Sequence, residues 1–240
     1  MLGKVLLRLQ IVLLVLMVAA VIAFRSEWIL FASLATAFAV SAIGLLALAL
    51  VALLVLCWSF VGSRTTSRSP LVLSVVIAAL PIISIMATVG PAGFKVPPIH
   101  DISTDLTSPP QFSVVPGLRH ESDNSLVHAG ESLAQQQRAA YPHIQPLATE
   151  LTAEQAYGRS RAALQSLGWE IISDSPERLE LEAVEASLLF GFKDDVIVRV
   201  RATETGSVVD VRSVSRVGRS DLGANAKRIE RFFEALGNQR

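Results

Sequence analysis

Three apolar runs in the first 90 residues constrain this chain more than any other feature. A hydrocarbon layer about 30 Å thick is crossed by roughly 20 apolar residues of helix, because lipid offers no partner for an unpaired backbone group. Residues 28–63 and 71–89 meet that length without a charge, and residues 9–24 reach it by extending through 5–7 if Arg8 carries its guanidinium up to the headgroups. The runs predict spans at about 5–24, 30–61 and 70–90, the third kinked at Pro81. Trp28 and Trp58 sit near the two ends of the second, where an interfacial aromatic belt belongs. Cys57, the only cysteine, lies inside that run, so the sequence allows neither an intrachain disulfide nor a cysteine-based metal site.

The second run is longer than one crossing needs. Splitting it would require a polar turn inside the bilayer, and Gly44 alone is a poor one, so one long tilted span is expected. Lys4 and Arg8 ahead of the first run resemble a secretory leader, but the run's length and the charged Arg25-Ser26-Glu27 turn favour a retained span. Orientation follows from positive charge in short loops. Lys4 and Arg8 precede the first span and Arg64 and Arg68 lie between the second and third, which three crossings put on the same side. The N-terminus is therefore expected in the cytoplasm and everything after Val89 on the far side.

Beyond that point the chemistry changes. Five of the 21 basic residues and one of the 21 acidic ones fall before residue 95, leaving 16 and 20 for a mildly acidic remainder. Pro97-Pro98, Pro109-Pro110, Pro116, Pro142 and Pro146 mark residues 95–149 as an extended proline-rich linker, with one short and mostly solvated helix within 127–140. From residue 150 the signals sharpen into a folded domain. Thr152 and Gln155 form a capping box and Gly168 a stop, bracketing a helix over 153–167 whose Ala156, Ala163, Leu164 and Leu167 make an apolar side. Residues 169–174, 178–186, 195–202 and 207–215 read as four antiparallel strands. Joining the last two by a four-residue loop at 203–206 opposes Val200 to Val209, Val198 to Val211 and Arg199 to Asp210. Leu179, Leu181 and Ala183 alternate with Glu180 and Glu182 in the same manner. A closing helix, starting near Asp221 under a Ser220 cap, would bury Leu222, Ala226, Ile229, Phe233 and Leu236 and point Lys227, Arg228 and Arg231 elsewhere. The fold class is thus a membrane α-helical part of three spans at 1–94, the linker, and a soluble α+β domain at 150–240: a four-stranded antiparallel sheet with a helix before and after it.

Three segments, HDISTDLTSPPQF (100–112), FGFKDDVIVRV (190–200) and DVRSVSRVGRSDLGANAKRI (210–229), are similar to the family known as domain of unknown function 1499, over about residues 95–236. The resemblance implies a bacterial or plastid protein, often with spans ahead of the domain, and hence a bacterial inner membrane with the C-terminal domain in the periplasm. It carries no established activity. It marks His100, Asp101, Asp105, Asp194, Asp195, Arg212, Arg216, Arg219, Asp221, Asn225 and Arg228 as signature positions without assigning their roles.

Two readings fit the basic turn around Arg216 and Arg219. Those arginines could pair with the chain's own Asp101, Asp105, Asp194 and Asp195, pinning the HDISTD segment to the domain by two-pronged guanidinium–carboxylate bonds; buried charges need such partners, which favours this reading. Alternatively, Arg216, Arg219 and the free amides at the start of the last helix would hold an external anion, a lipid phosphate or a carboxylated ligand. A metal site of His100, Asp101 and Asp105 completed by His120, Asp123, His128 or His143 lacks any recognised spacing, and general acid–base work by His100 and Asp101 lacks a nucleophile. No catalytic residue, metal ligand or cofactor is assigned. The apolar run Leu188, Leu189, Phe190 and Phe192 is expected to continue the sheet into the core, with a lip against the bilayer or a ligand cleft as the alternative. Basic charge this local, on an acidic domain, excludes nucleic acid. The leading expectation is a non-enzymatic membrane-anchored accessory module whose partners are the bilayer and an anionic lipid or envelope protein; the alternative is an envelope hydrolase or metal-dependent enzyme.

Overall fold

The computed structural model describes residues 2–61 and 67–238. Ser63, and Arg64 on which the orientation partly rests, lie outside them. The chain divides into two compact units, Met1–Pro91 and Ala92–Arg240.

The first unit holds three helices, α1 (Leu2–Arg25), α2 (Phe31–Val61) and α3 (Ser69–Gly93), each long and apolar enough to cross a membrane. α2 is one uninterrupted helix of 31 residues, about 46 Å at 1.5 Å per residue, so the long run is not split. In α3 the backbone stays helical through Pro81 and departs from helix at Gly90 instead, where φ is 71°. Pro91 is the cause: its ring disfavours helical geometry in the residue before it, and glycine tolerates the left-handed side. Two small clusters join the helices, Leu6 with Ala52 and Leu71, and Met17 with Leu45 and Ala78. Between them lies a buried polar knot. Gln10 of α1 donates to the Leu45 carbonyl of α2 (3.2 Å), and Ser74 of α3 donates to Gln10 Oε1 (2.5 Å), so one glutamine ties all three helices.

The second unit is built on a six-stranded antiparallel sheet, not a four-stranded one. β3 (Glu170–Ser175), β4 (Glu180–Ala186), β5 (Lys193–Thr203) and β6 (Gly206–Ser215) lie where the alternation places them. Val200 opposes Val209, Val198 opposes Val211 and Arg199 opposes Asp210, as expected. Thr203 also pairs with Gly206, which tightens the loop to Glu204-Thr205. The additional strands are β1 (Asp101–Ser103) and β2 (Leu147–Thr149), both on β6. They come from the segment expected to be an extended linker, whose few apolar residues and many prolines hide strands of three residues. β2 needs Gly206: a Cβ there would stand 2.1 Å from the Thr149 carbonyl oxygen.

Helix α5 (Ala153–Ser166) carries the full Thr152–Gln155 capping box and stops at Gly168, where φ is +71°. α6 (Ala224–Gly237) begins three residues later than its periodicity suggests, because Leu222 and Gly223 both take left-handed backbone. Both helices pack on one side of the sheet, over Leu181, Ala183, Val196, Val198, Val200, Val209 and Val211. In α6 the core ring is Phe232, fully buried and stacked on Trp169 at 6.4 Å, with Phe233 only partly buried. α4 (Glu131–Ala140), expected to be solvated, instead buries Leu133, Ala134 and Gln137. The Gln137 amide clasps β1 from both sides, accepting from the Ser103 amide (3.0 Å) and donating to its carbonyl (2.6 Å).

Candidate functional site

Strand alternation sends the signature residues to opposite sides of the sheet. Successive side chains point to opposite faces, so Asp194 shares the helix side with Val196, while Asp195 faces away with Ile197 and Arg199. The away side is covered by the 104–128 segment, and buried charge lines it.

Arg212 is the centre of that layer. Its Nε and Nη2 grip Asp101 Oδ1 and Oδ2 at 2.9 and 2.8 Å, Nη1 donates to the Pro110 carbonyl (3.0 Å), and Nη2 also reaches the Leu126 carbonyl (2.7 Å). The Phe112 ring lies 5.6 Å from its guanidinium carbon. Asp195 receives two arginines. Arg216 approaches it through Nη2 at 2.7 Å and Arg119 through Nε at 2.8 Å, and these guanidiniums continue to the Leu118 and Asn124 carbonyls. Asp105 and Asp210 share Arg199, which stands 3.0 Å from each, and Arg201 adds a 2.7 Å bond to Asp210. Among the described residues Glu182 has no ion-pair partner. The amides of Ser113, Val114 and Val115 and the Ser113 hydroxyl all donate to it, at 2.6 to 3.1 Å. Those amides open the 3₁₀ turn Val115–Leu118, whose first N–H groups have no partner within the turn.

The layer therefore sets the carboxylates of residues 101, 105, 182, 195 and 210 against the guanidiniums of residues 119, 199, 201, 212 and 216, and so carries no net charge. Burial resists ionisation of Glu182, but the Ser113 hydroxyl and the three amides outweigh it and hold the carboxyl below its ordinary range. At Asp105 burial is likewise outweighed, by the Ser108 and Thr107 amides and by Arg199 and Arg201.

On the helix side a second network closes around Asn225. Its Oδ1 accepts from Ser213 Oγ (2.6 Å) and Arg228 Nη1 (2.5 Å), and its Nδ2 donates to the His100 carbonyl (3.0 Å) and Ser215 Oγ (2.9 Å). Arg228 also bonds Asp194 and Glu185 Oε2, the latter at 2.5 Å. Arg228 is thus buried in the sheet–helix junction rather than directed to solvent, which a guanidinium accepts only when fully paired. The N-cap of the last helix is Gly223, not Ser220, and the Asp221 carboxylate just ahead of it takes the Gly223 and Asn225 amides at 2.8 and 3.0 Å. Burial raises the Asp221 carboxyl above its ordinary value.

Ten of the signature residues thus bond within the domain, and the external-anion arrangement loses its amides to Asp221. Arg219 is the exception: it is exposed and makes no hydrogen bond or ion pair among the described residues. His100 contributes its carbonyl to Ser215 and Asn225, and its imidazole bonds nothing among the described residues. Asp101 and Asp105, the acids of the hydrolase alternative, are each engaged by different arginines. Among the described residues no three His, Cys, Asp or Glu side chains gather as a metal set. Sequence reasoning missed Arg119, Glu182 and Glu185. Only Glu182 left a signal, in the Val-Pro turn whose amides require an acceptor.

The sheet with helices on one side and an internally neutralised charged layer on the other, preceded by three helices long and apolar enough to span a membrane, defines the class of protein. The chain belongs to the family described as Protein of unknown function (DUF1499), whose model matches residues 101–236. That match opens at the first residue of β1 and closes in the last turn of α6, so the family's unit includes the proline-rich segment. No curated protein matches the chain.

Proposed function

We infer that the protein is a non-catalytic accessory module, held outside the cytoplasm by its spans, which engages an anionic lipid or envelope component through the turn bearing Arg219. The observation that carries this reading is the contrast between Arg219 and its neighbours: Arg212, Arg216 and Arg228 are buried against carboxylates, whereas Arg219, between β6 and α6, stands in solvent. An arginine without an internal partner is available for a phosphate or carboxylate outside the chain. The bias of Lys4, Arg8 and Arg68 supports the sidedness.

The test uses the full chain in zwitterionic detergent micelles, titrated with short-chain phosphatidylglycerol. Binding weakens as salt rises, and Arg219→Ala weakens it about fivefold, the effect of about 1 kcal/mol for one basic residue at an anionic surface. Affinity indifferent to salt and to Arg219 overturns the reading.

A further inference from the structure

We propose that the β4–β5 hairpin tip, residues 187–192, inserts into the bilayer interface and seats the domain on the membrane. This rests on the membrane anchoring inferred above but not on the anionic ligand, so it stands or falls separately from Arg219 binding.

The strand register brings three features to one end of the sheet. β1 begins with Asp101 opposite Val214, so the chain enters the domain beside the end of β6. Asp194 opposes Ser215, so β5 begins at that same end. Ala186 opposes Lys193, so the β4–β5 connection projects from it too. Backbone bonds tie the three together: Ser215 N–H to His100 O (2.9 Å), Arg216 N–H to Lys193 O (3.1 Å) and Asp221 N–H to Ile99 O (3.0 Å). Residues 94–100 separate the end of α3 from Asp101 and can span at most about 24 Å, so this end of the domain is tethered within that reach of the last apolar helix.

The tip at this end is apolar and closed by its own hydrogen bonds, and it does not continue the sheet into the core as its composition suggests. Ser187 accepts from Gly191 and Phe192 and donates its amide to the Phe192 carbonyl, closing a tight loop with Gly191 at φ 72°. The loop stacks Phe190 on Phe192 at 5.0 Å and presents Leu188, 96% exposed, and Leu189, 50% exposed. Lys95, exposed, belongs to the entering segment, where a cation would meet headgroup phosphates. The opposite end of the sheet makes the contrast: its connections are Pro176-Glu177-Arg178-Leu179, whose leucine packs against the core, and the polar Glu204-Thr205. An exposed apolar tip, on a domain tethered by a short segment to apolar helices, matches the chemistry of an interfacial lipid contact.

The test places an environment-sensitive NBD fluorophore at Leu188→Cys or at Glu204→Cys in the full chain, with Cys57→Ser removing the native thiol. Both proteins are reconstituted in phosphatidylcholine vesicles with and without acyl-chain nitroxide lipid. Lipid-borne nitroxide is expected to quench the Leu188→Cys probe about threefold or more beyond the Glu204→Cys probe. Leu189→Cys supplies a second label position should the first disturb folding. Equal quenching at the two ends, or a Leu188→Cys probe shielded from aqueous iodide but untouched by the nitroxide, overturns the proposal, the latter result assigning the tip to a protein contact.

Discussion

Arg212 has no solvent exposure and four hydrogen bonds, so its worth to the fold lies in what its removal would strand. Arg212→Ala leaves the Asp101 side chain buried without its partner, and a loss of about 3–5 kcal/mol in chemical denaturation is expected. Arg212→Met combined with Asp101→Leu should recover much of it, because a buried ion pair contributes little beyond an apolar pair of similar size. Arg219→Ala should change stability by less than about 0.5 kcal/mol, which separates its role from that of its buried neighbours. Glu182 gives the pH dependence. Its folded pKa lies below its ordinary value of 4.5, so its stabilisation is complete above that value and is lost as pH falls through the folded one. Melting temperature should therefore fall more steeply between about pH 5 and pH 3 in the native chain than in Glu182→Gln.

Each element shows a different balance between local signal and context. α5 was legible because its cap is local: Thr152 and Gln155 exchange bonds over three residues, and Thr152→Ala should cost about 1 kcal/mol in thermal unfolding. β5 and β6 were legible because alternating valines and a short loop allow one register. The start of α6 was not, since Leu222 adopts positive φ, which periodicity does not encode. β1 and β2 were invisible for a further reason: three residues carry no period, and their hydrogen bonds exist only once β6 is in place. Gly206→Ala tests that dependence. Its methyl would collide with the Thr149 backbone, so faster hydrogen exchange at residues 147–149 and a loss of about 1–3 kcal/mol are expected.

The whole chain joins an apolar three-helix unit to a polar α+β unit. In the first unit, Gln10 is buried among apolar helices and bonds both neighbours, so Gln10→Leu should loosen the three-helix unit by about 0.6–2 kcal/mol in a detergent unfolding assay. In the second, the proline-rich segment roofs the charged side of the sheet and supplies Ile99, Ile102, Tyr141 and Ile144 to the core. A chain of residues 150–240 alone would expose Asp195, Arg212 and Glu182 together with those apolar contacts. It should lack a cooperative unfolding transition that residues 92–240 retain.

The amino-acid sequence alone determined the elements whose signals are continuous and local: three helices of bilayer length, the α5 cap, the valine register of β5 and β6, and membership of the family through three short blocks. Apart from Arg199 and Asp210, neighbours across one hairpin, which arginine meets which aspartate was decided only by tertiary structure, because the partners lie up to 111 positions apart and complementary charge permits many pairings until the strands fix their side. The tertiary fold also turned a proline-rich stretch into a roof and an apolar run into an exposed tip. Both outcomes depend on where β6 and the β4–β5 hairpin end in space, which no residue's own chemistry specifies.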